Sequence, residues 1–465
     1  MTSPLSDNDS AQAVVVPFGK TAPGPRGNPL LGSVLDMRRM DMLQFYQDAW
    51  RGHGDVVRFR MGPLTQHLVI EPEHVKHILV SNKGNYVKGI GIAKLKMLLG
   101  NGLFTSEGPF WQRQRRLIQP PFTAKGVAKL ATDMTDAADA MLQRWDAPSK
   151  RGETVDVSLE MMRLALNIIA KTTLNIDANN IAGTTYEAFT GALEFIVNRT
   201  VTIVDVPLFV PTTQNRRFKN SIETLDKIIY EIIADRRRHP SDTLDLLSLL
   251  VHARDEDSGE GMTEQQLRDE VMTIFFAGHE TTALTLTWAW HLISQHPDVE
   301  AKLHAEVDAA LDGRTPTVED VPALPYTEMV VKEVMRLYPP AALFVRDAVG
   351  TDELDEYHIP KRSMMVLSPY MTHRHPDYWD RPEDFEPERF APQRAKDQHH
   401  YAYIPFGGGP RKCIGNHFAM LETTLVIAMV AQRYRLRSAD GLPVAPHFGG
   451  TLRPASRLQM IVEGR

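Results

Sequence analysis

"FGGGPRKCIG", residues 406–415, holds Cys413, the only cysteine in 465 residues. Three glycines lead into it, Gly415 follows, and Arg411 and Lys412 stand directly before it. Gly407, Gly408 and Gly409 let the backbone bend and come close to a flat partner. Pro410 stiffens the turn. Helical periodicity begins just after the cysteine, in "NHFAMLETTLVIAMVAQRY". Cys413 therefore falls at a helix N-terminus, where free N–H groups and the helix dipole favour a thiolate. A lone cysteine is ordinarily a small buried hydrophobe, but these neighbours describe a site that holds a sulfur anion.

Several chemistries use a thiolate. A zinc site needs further cysteines or clustered histidines. His373, His375, His399 and His400 show no matching spacing and read as surface and loop residues. A phosphate-binding loop needs Ser or Thr after its lysine, and Lys412 is followed by cysteine. A cysteine nucleophile needs a partnered histidine, which the sequence leaves open. An axial thiolate on haem iron needs one cysteine, a glycine-lined approach and cations for the propionates. That reading uses every feature of the stretch.

A hydrophobic share of 43% and a charged share of 24% are ordinary for a globular protein. The net charge of -6 gives no reason to expect nucleic acid. One cysteine permits no internal disulfide. The apolar run at 13–17 is too short for a membrane span or a signal peptide. The expectation is a cytoplasmic protein with a flexible tail over 1–20 and a single domain over 21–465. Residues 254–261, "RDEDSGEG", read as an exposed loop. Residues 55–61 and 67–71 read as strands joined by Gly62-Pro63. Helical spacing dominates from Trp111 to about Tyr338. Short β-like pieces follow near Phe344-Val345 and over 364–368. The fold class is mainly α with small β-sheets (α+β).

One helix organises this pattern. Thr263 and Gln266 form a capping box, and periodicity then runs unbroken to Gln295 before Pro297. Its length is about 48 Å at 1.5 Å per residue. One stripe reads Leu267, Val271, Ile274, Gly278, Thr281, Thr285, Trp288, Leu292. The ends are bulky and the middle is small, so something else fills the space beside Gly278, Thr281 and Thr285.

"FGGGPRKCIG" resembles the haem-binding signature of the cytochrome P-450 family, which Phe406, Gly409, Arg411, Cys413 and Gly415 satisfy. The resemblance spans nearly the whole chain. It implies the P-450 fold, with the long helix over haem b (iron protoporphyrin IX) and Cys413 as the iron ligand. "KEVMR" supplies Glu333 and Arg336 on one helix face. Alone they would be a surface ion pair. The resemblance makes them a buried structural network, completed by Arg389 of "FEPERF". In "FWQRQRR", Trp111 and Arg115 match propionate contacts, as do Arg346 and Arg411. Arg113 and Arg116 would point away and form a basic face for an acidic redox protein.

"AGHETT", residues 277–282, matches the segment over the distal haem face. Alone it would be a polar stretch of exposed helix. In the family's reading Ala277 and Gly278 leave room for dioxygen and substrate, and Glu280 and Thr281 are the acid–alcohol pair that delivers protons. A thiolate ligand favours cleavage of the O–O bond. The implied activity is monooxygenation, placing one atom of O2 into a hydrophobic small molecule: a fatty acid, terpenoid or steroid-like compound. Fatty acid is the first candidate, from similarity to fatty-acid hydroxylating relatives. Leu343, Phe344 and Leu452 are candidate pocket residues, with the segments 88–99 and 195–209. The chain carries no flavin or ferredoxin motif, so electrons would come from a ferredoxin, flavodoxin or diflavin reductase. Many soluble bacterial relatives carry histidine where Arg411 stands. "GGPRKCIG" is closer to the group that includes membrane-bound eukaryotic members, while the missing anchor points to a bacterial origin. Two other haem readings remain. A peroxygenase driven by H2O2 usually replaces the acid–alcohol pair, and a non-catalytic haem sensor or carrier would not need it.

Overall fold

The computed structural model describes residues 19–175, 188–189, 191–193, 195–196, 199, 206–239, 245–255, 259–441 and 444–465. Residues 1–18 of the expected tail, 256–258 of the acidic loop, and 197–198 and 200–205 of one pocket segment lie outside them.

Strand β1 (Val56–Met61) pairs antiparallel with β2 (Leu64–Val69), Met61 opposite Leu64. Gly62 turns between them at φ 60°. This two-residue turn starts the second strand three residues earlier than the apolar pattern suggests, because hairpin pairing extends to the turn. With β3 (Tyr86–Val87), β5 (Phe344–Ala348) and β6 (Met364–Leu367) they form a five-stranded sheet in the order β1-β2-β6-β5-β3. A second sheet joins β4 (Thr154–Asp156) and β7 (Tyr434–Ser438) through β10 (Gln459–Gly464). A hairpin of β8 (Pro446–Phe448) and β9 (Leu452–Pro454) lies between them in sequence.

The principal helices are α1 (Gly108–Ile118), α2 (Ala131–Arg151), α3 (Val157–Leu174), α4 (Thr213–Arg238), α5 (Glu264–Gln295), α6 (Pro325–Leu337) and α7 (Asn416–Arg433). Helix α5 begins at the expected capping box. The Gln266 N–H donates to Thr263 Oγ1 at 3.2 Å, and the Thr263 N–H donates to Gln266 Oε1 at 2.9 Å. It ends at Gln295, ahead of Pro297. Most of its residues are buried on every side, as in a helix that crosses a core. Trp145 of α2, Ile168 of α3, Trp288 of α5 and Val426 of α7 are fully buried in one apolar cluster. Each such side chain contributes about 1.5–3 kcal/mol by leaving water.

A buried helix needs partners for its charges. Arg268 Nε donates to Asp226 Oδ1 of α4 at 2.7 Å, and its Nη1 to Leu98 O at 3.0 Å. Glu270 accepts from the Leu103 N–H and from Gln114 Nε2 of α1, both at 2.8 Å. These bonds lash the loop before α1 to the central helix. Burial holds the Glu270 carboxyl up at about 7.

The small residues of the α5 stripe have a reason the pattern did not reveal. A Cβ on Gly278 would stand 2.7 Å from Ile169 Cδ1 of α3. Gly278 therefore admits a neighbouring helix, not a small molecule. Ala277, one residue earlier, is solvent-accessible within this otherwise buried helix. The molecule is mainly helical with small sheets. Among the described residues no helix is long and apolar enough to cross a membrane.

Candidate active site

Glycine geometry shapes the loop that carries Cys413. Gly407 and Gly409 hold φ of 69° and 64°, which most side chains resist. The Cys413 N–H donates to Phe406 O at 2.9 Å, and the Gly407 N–H to Ile404 O at 3.0 Å. Phe406 is half-buried and packs against the main core. A Cβ on Gly408 would stand 2.8 Å from Tyr401 Cε1, and one on Gly409 2.2 Å from Leu79 O. These two glycines seat the loop on protein; Gly407 has nothing within 4 Å of where its Cβ would be. Gly415 is the N-cap of α7, so the sulfur lies just ahead of the helix.

Cys413 is solvent-accessible although many protein atoms surround it, and burial pushes its thiol up. The Gly415 N–H, Arg115 and Lys412 pull the other way. The expected anion is therefore not a product of the helix dipole alone, because burial outweighs it. A cation bound at Sγ would take the proton's place.

Cations line up beside the sulfur. Arg115 Nη1 donates to Lys412 O at 3.0 Å. Arg411 Nη1 donates to Ser106 O at 2.9 Å, its Nη2 pairs with Glu107, and its guanidinium stacks 3.8 Å over the Trp111 ring. Trp111 thus supports an arginine from below. Arg346 donates to its neighbour's carbonyl, Val345 O, at 2.8 Å and lies 5.6 Å over the Phe344 ring. Burial and the nearby Arg411 hold it down at about 10. Lys88, which no motif singled out, completes the row. It donates to Phe104 O, and burial with Arg411 and Arg346 lowers it to about 7. Of these four partly buried basic side chains, only Arg411 has a carboxylate bonded to it among the described residues, Glu107. Such a set lacks counter-charge, and the two propionates of a haem would supply it. With an accessible sulfur at one end of the row and Ala277 accessible on α5, these residues fit a haem.

The expected network is present and is wider than the motifs. Arg336 donates through Nε and Nη2 to Glu333 at 2.7 and 2.8 Å. Arg389 Nε reaches Glu333 Oε1 at 3.3 Å. Arg336 also bonds three backbone carbonyls, of His373, Pro382 and Asp384. His373 is fully buried, contrary to the surface position expected for it. Its Nδ1 lies 3.2 Å from Arg336 O, and its Nε2 accepts the Ile404 N–H at 2.8 Å. The network thereby reaches the cysteine loop two residues before Phe406. His375 is also buried, with its Nε2 3.1 Å from Asp55 Oδ1. Asp55, Glu71 and His375 place ligand-type atoms within 4.8 Å of one another. The Asp377 N–H donates to His375 Nδ1, which leaves the ring proton on Nε2, facing Asp55. That is a hydrogen-bonded staple rather than a metal site.

Glu280 and Thr281 are neighbours that face different ways. The Thr281 hydroxyl donates to Ala277 O at 2.7 Å. Glu280 is buried, and its Oε1 accepts from Thr451 Oγ1 at 2.9 Å and Arg453 Nη2 at 3.2 Å. Neither contact with Glu280 had a sequence signal, since a separation of 171 positions leaves no local pattern. Leu343 and Phe344 are partly exposed. Leu452 is not: it is fully buried, its N–H bonded to Pro340 O and its carbonyl to Trp288 Nε1. Arg116 is exposed and Arg113 mostly covered. Both approach Asp255, at 3.4 and 3.6 Å.

The family described as Cytochrome P450 matches residues 22–462. The chain is 39% identical to "Cyclooctatin synthase" of Streptomyces melanosporofaciens over 95% of each chain. It is 37% identical to "Cyclooctat-9-en-7-ol 5-monooxygenase" of the same organism over 90% of each. The solved structure titled as the haem domain of cytochrome P450DA superposes with a TM-score of 0.88 at 26% identity, covering 96% of this chain and 98% of that one. Cysteine loop, cation row and buried Glu–Arg network thus occur together on the matching fold, and the chain belongs to the cytochrome P450 family of haem monooxygenases.

Proposed function

We propose that the protein hydroxylates a cyclic terpenoid, with Cys413 as axial ligand of haem b and electrons from a separate ferredoxin, flavodoxin or diflavin reductase. The observation that carries the site assignment is the accessible Cys413 sulfur at the head of α7, beside four basic side chains of which only Arg411 has a bonded carboxylate among the described residues. Haem, when bound, supplies the binding and reductive cleavage of dioxygen. The protein's own residues do the rest. Lys88, Arg115, Arg346 and Arg411 would hold the propionates. Trp111 keeps Arg411 in place. The Thr281 hydroxyl and the Glu280 carboxylate handle protons from two different faces of α5. Leu343 and Phe344 offer apolar surface to the substrate.

The terpenoid reading is supported by the relatives, whose names specify cyclooctatin and cyclooctat-9-en-7-ol. It replaces fatty acid as the first candidate. The test is spectroscopic titration of the haem-loaded protein with cyclooctat-9-en-7-ol and, separately, with palmitate. A spin-state shift and an oxygenated product with the cyclic alcohol alone are expected. A response to palmitate alone would overturn the substrate class. Thr281→Ala is expected to lower product per electron by roughly tenfold, whereas a mere haem carrier would be unaffected.

A further inference from the structure

A cavity of about 200 Å³ lies against the face of α5 that carries Glu280. Its walls are mainly apolar: Leu159 and Met162 of α3, Phe276 and Leu284 of α5, with Phe189 and Leu193. The stripe of α5 that borders it is centred roughly 100° around the helix from Ala277 and Thr281, and neither of those residues lines it. The chamber is therefore not the substrate side of α5. It opens to the surface past Ser456 and Arg457, both exposed.

Two residues that line this apolar space carry unmet polar groups. His279 is only 3% exposed, and its ring centroid lies 5.7 Å from that of Phe189. Its Nδ1 is 3.0 Å from Phe275 O, so the ring proton sits on Nδ1 and Nε2 is left as an acceptor. No partner for Nε2 is found among the described residues. Burial keeps the imidazole below its usual range and therefore neutral. Arg453 donates through Nη2 to Glu280 at 3.2 Å and to Gly449 O at 3.3 Å. Its Nε is buried with no hydrogen-bond partner among the described residues. A donor and an acceptor left unpaired in one enclosed space are costly, and a ligand that meets both removes that cost.

Volume sets the size of that ligand. An apolar cavity of about 150 Å³ accepts one benzene ring, and drug-sized sites begin near about 300 Å³. The chamber therefore takes a single ring with one or two small substituents. Charge sets its class. Arg453 and Glu280 already neutralise each other, so an anion or a cation would lose its hydration without gaining a counter-charge. A hydroxyl is neutral and both donates and accepts. We propose that the chamber is a second ligand site, separate from the substrate side, for an alcohol or phenol carried on a single ring. The hydroxyl donates to His279 Nε2 and accepts from the Arg453 guanidinium. The ring packs between α3 and α5, against Met162, Phe276 and Leu284. Apolar walls with a few polar groups that fix orientation are the ordinary make-up of a small-molecule site.

Three probes of similar shape test this: 4-bromophenol, 4-bromotoluene and 4-bromobenzoate. Each is titrated by calorimetry into the haem-loaded protein after 4-phenylimidazole has saturated the distal haem side, so that the substrate side is filled. Crystals of the same complexes locate bromine by its anomalous scattering. The expected result is a bromine between α3 and α5, with the phenol oxygen in hydrogen-bond reach of His279 and Arg453. 4-Bromotoluene leaves both groups unpaired and should bind about tenfold more weakly or worse. 4-Bromobenzoate should not bind there. His279→Leu should weaken 4-bromophenol by a similar factor, and His279→Gln should restore much of it, because an amide oxygen accepts as Nε2 does. Met162→Trp fills the far wall and should remove binding, with haem content checking that the variant is folded. Bromine found only beside the haem, no heat once 4-phenylimidazole is bound, or full binding to Met162→Trp would overturn the site. Equal affinity for 4-bromophenol and 4-bromotoluene, or for the wild type and His279→Leu, would overturn the alcohol as its ligand.

Discussion

Gly278 shows how a single residue can be located correctly and explained wrongly. Its smallness was legible in the α5 stripe, but the space it leaves is filled by Ile169 and not by a ligand. A helix–helix contact between residues 109 positions apart has no trace in local sequence. Gly278→Ala is therefore expected to destabilise the protein by about 1–3 kcal/mol through overpacking, even though alanine is the better helix former by about 1 kcal/mol. Adding Ile169→Val removes the Cδ1 atom that clashes and should recover much of the loss. Urea unfolding of the single and double variants measures this. A loss that Ile169→Val leaves untouched would place the strain elsewhere. Lys88 is the converse case. Nothing in its local sequence marks it, and only the folded row of cations gives it a role.

At the scale of elements, α6 is tied to the cysteine loop through charges that must stay paired. Glu333→Leu strands Arg336 and Arg389 in the interior and should cost about 3–5 kcal/mol, measured by urea unfolding with haem content followed in parallel. The spacing of Glu333 and Arg336 gave only an ion pair on one helix face, and the family resemblance gave its burial; the bridge through His373 was not legible, because a lone histidine carries no sign of what surrounds it. His373 gives the network a pH dependence. Burial, then the nearby Arg336, depress its folded value to about 3 from an ordinary 6.5. A depressed basic group must stay neutral in the fold, so its share of stability is present above about pH 6.5. That share drains as pH falls from there towards 3, at most about 1.4 kcal/mol per unit. His373→Gln can make the same two hydrogen bonds without titrating. Its stability should fall less steeply than the wild type's between pH 6 and 4, as read by urea unfolding at several pH values. Parallel slopes would remove His373 from the acid response.

For the molecule as a whole, the helical body, most strands of the five-stranded sheet and both ends of α5 were legible because capping and periodicity are local signals; the second sheet and the β8–β9 hairpin were not. The cysteine loop was legible because its residues are contiguous. The far side of the site was not: Thr451 and Arg453 reach Glu280 from a C-terminal hairpin that sequence places only near a substrate. The opposing effect of burial on Cys413 was not legible, since burial is a property of the fold: it pushes the thiol up against the pull of the Gly415 N–H, Arg115 and Lys412. The central claim is that this sulfur becomes a thiolate when it binds haem iron. It is tested most directly by the absorption spectrum of the dithionite-reduced, haem-loaded protein with carbon monoxide. A strongly red-shifted Soret band, lost in Cys413→Ser, is the expected result. A carbon monoxide complex without that shift, or one that survives Cys413→Ser, would contradict it.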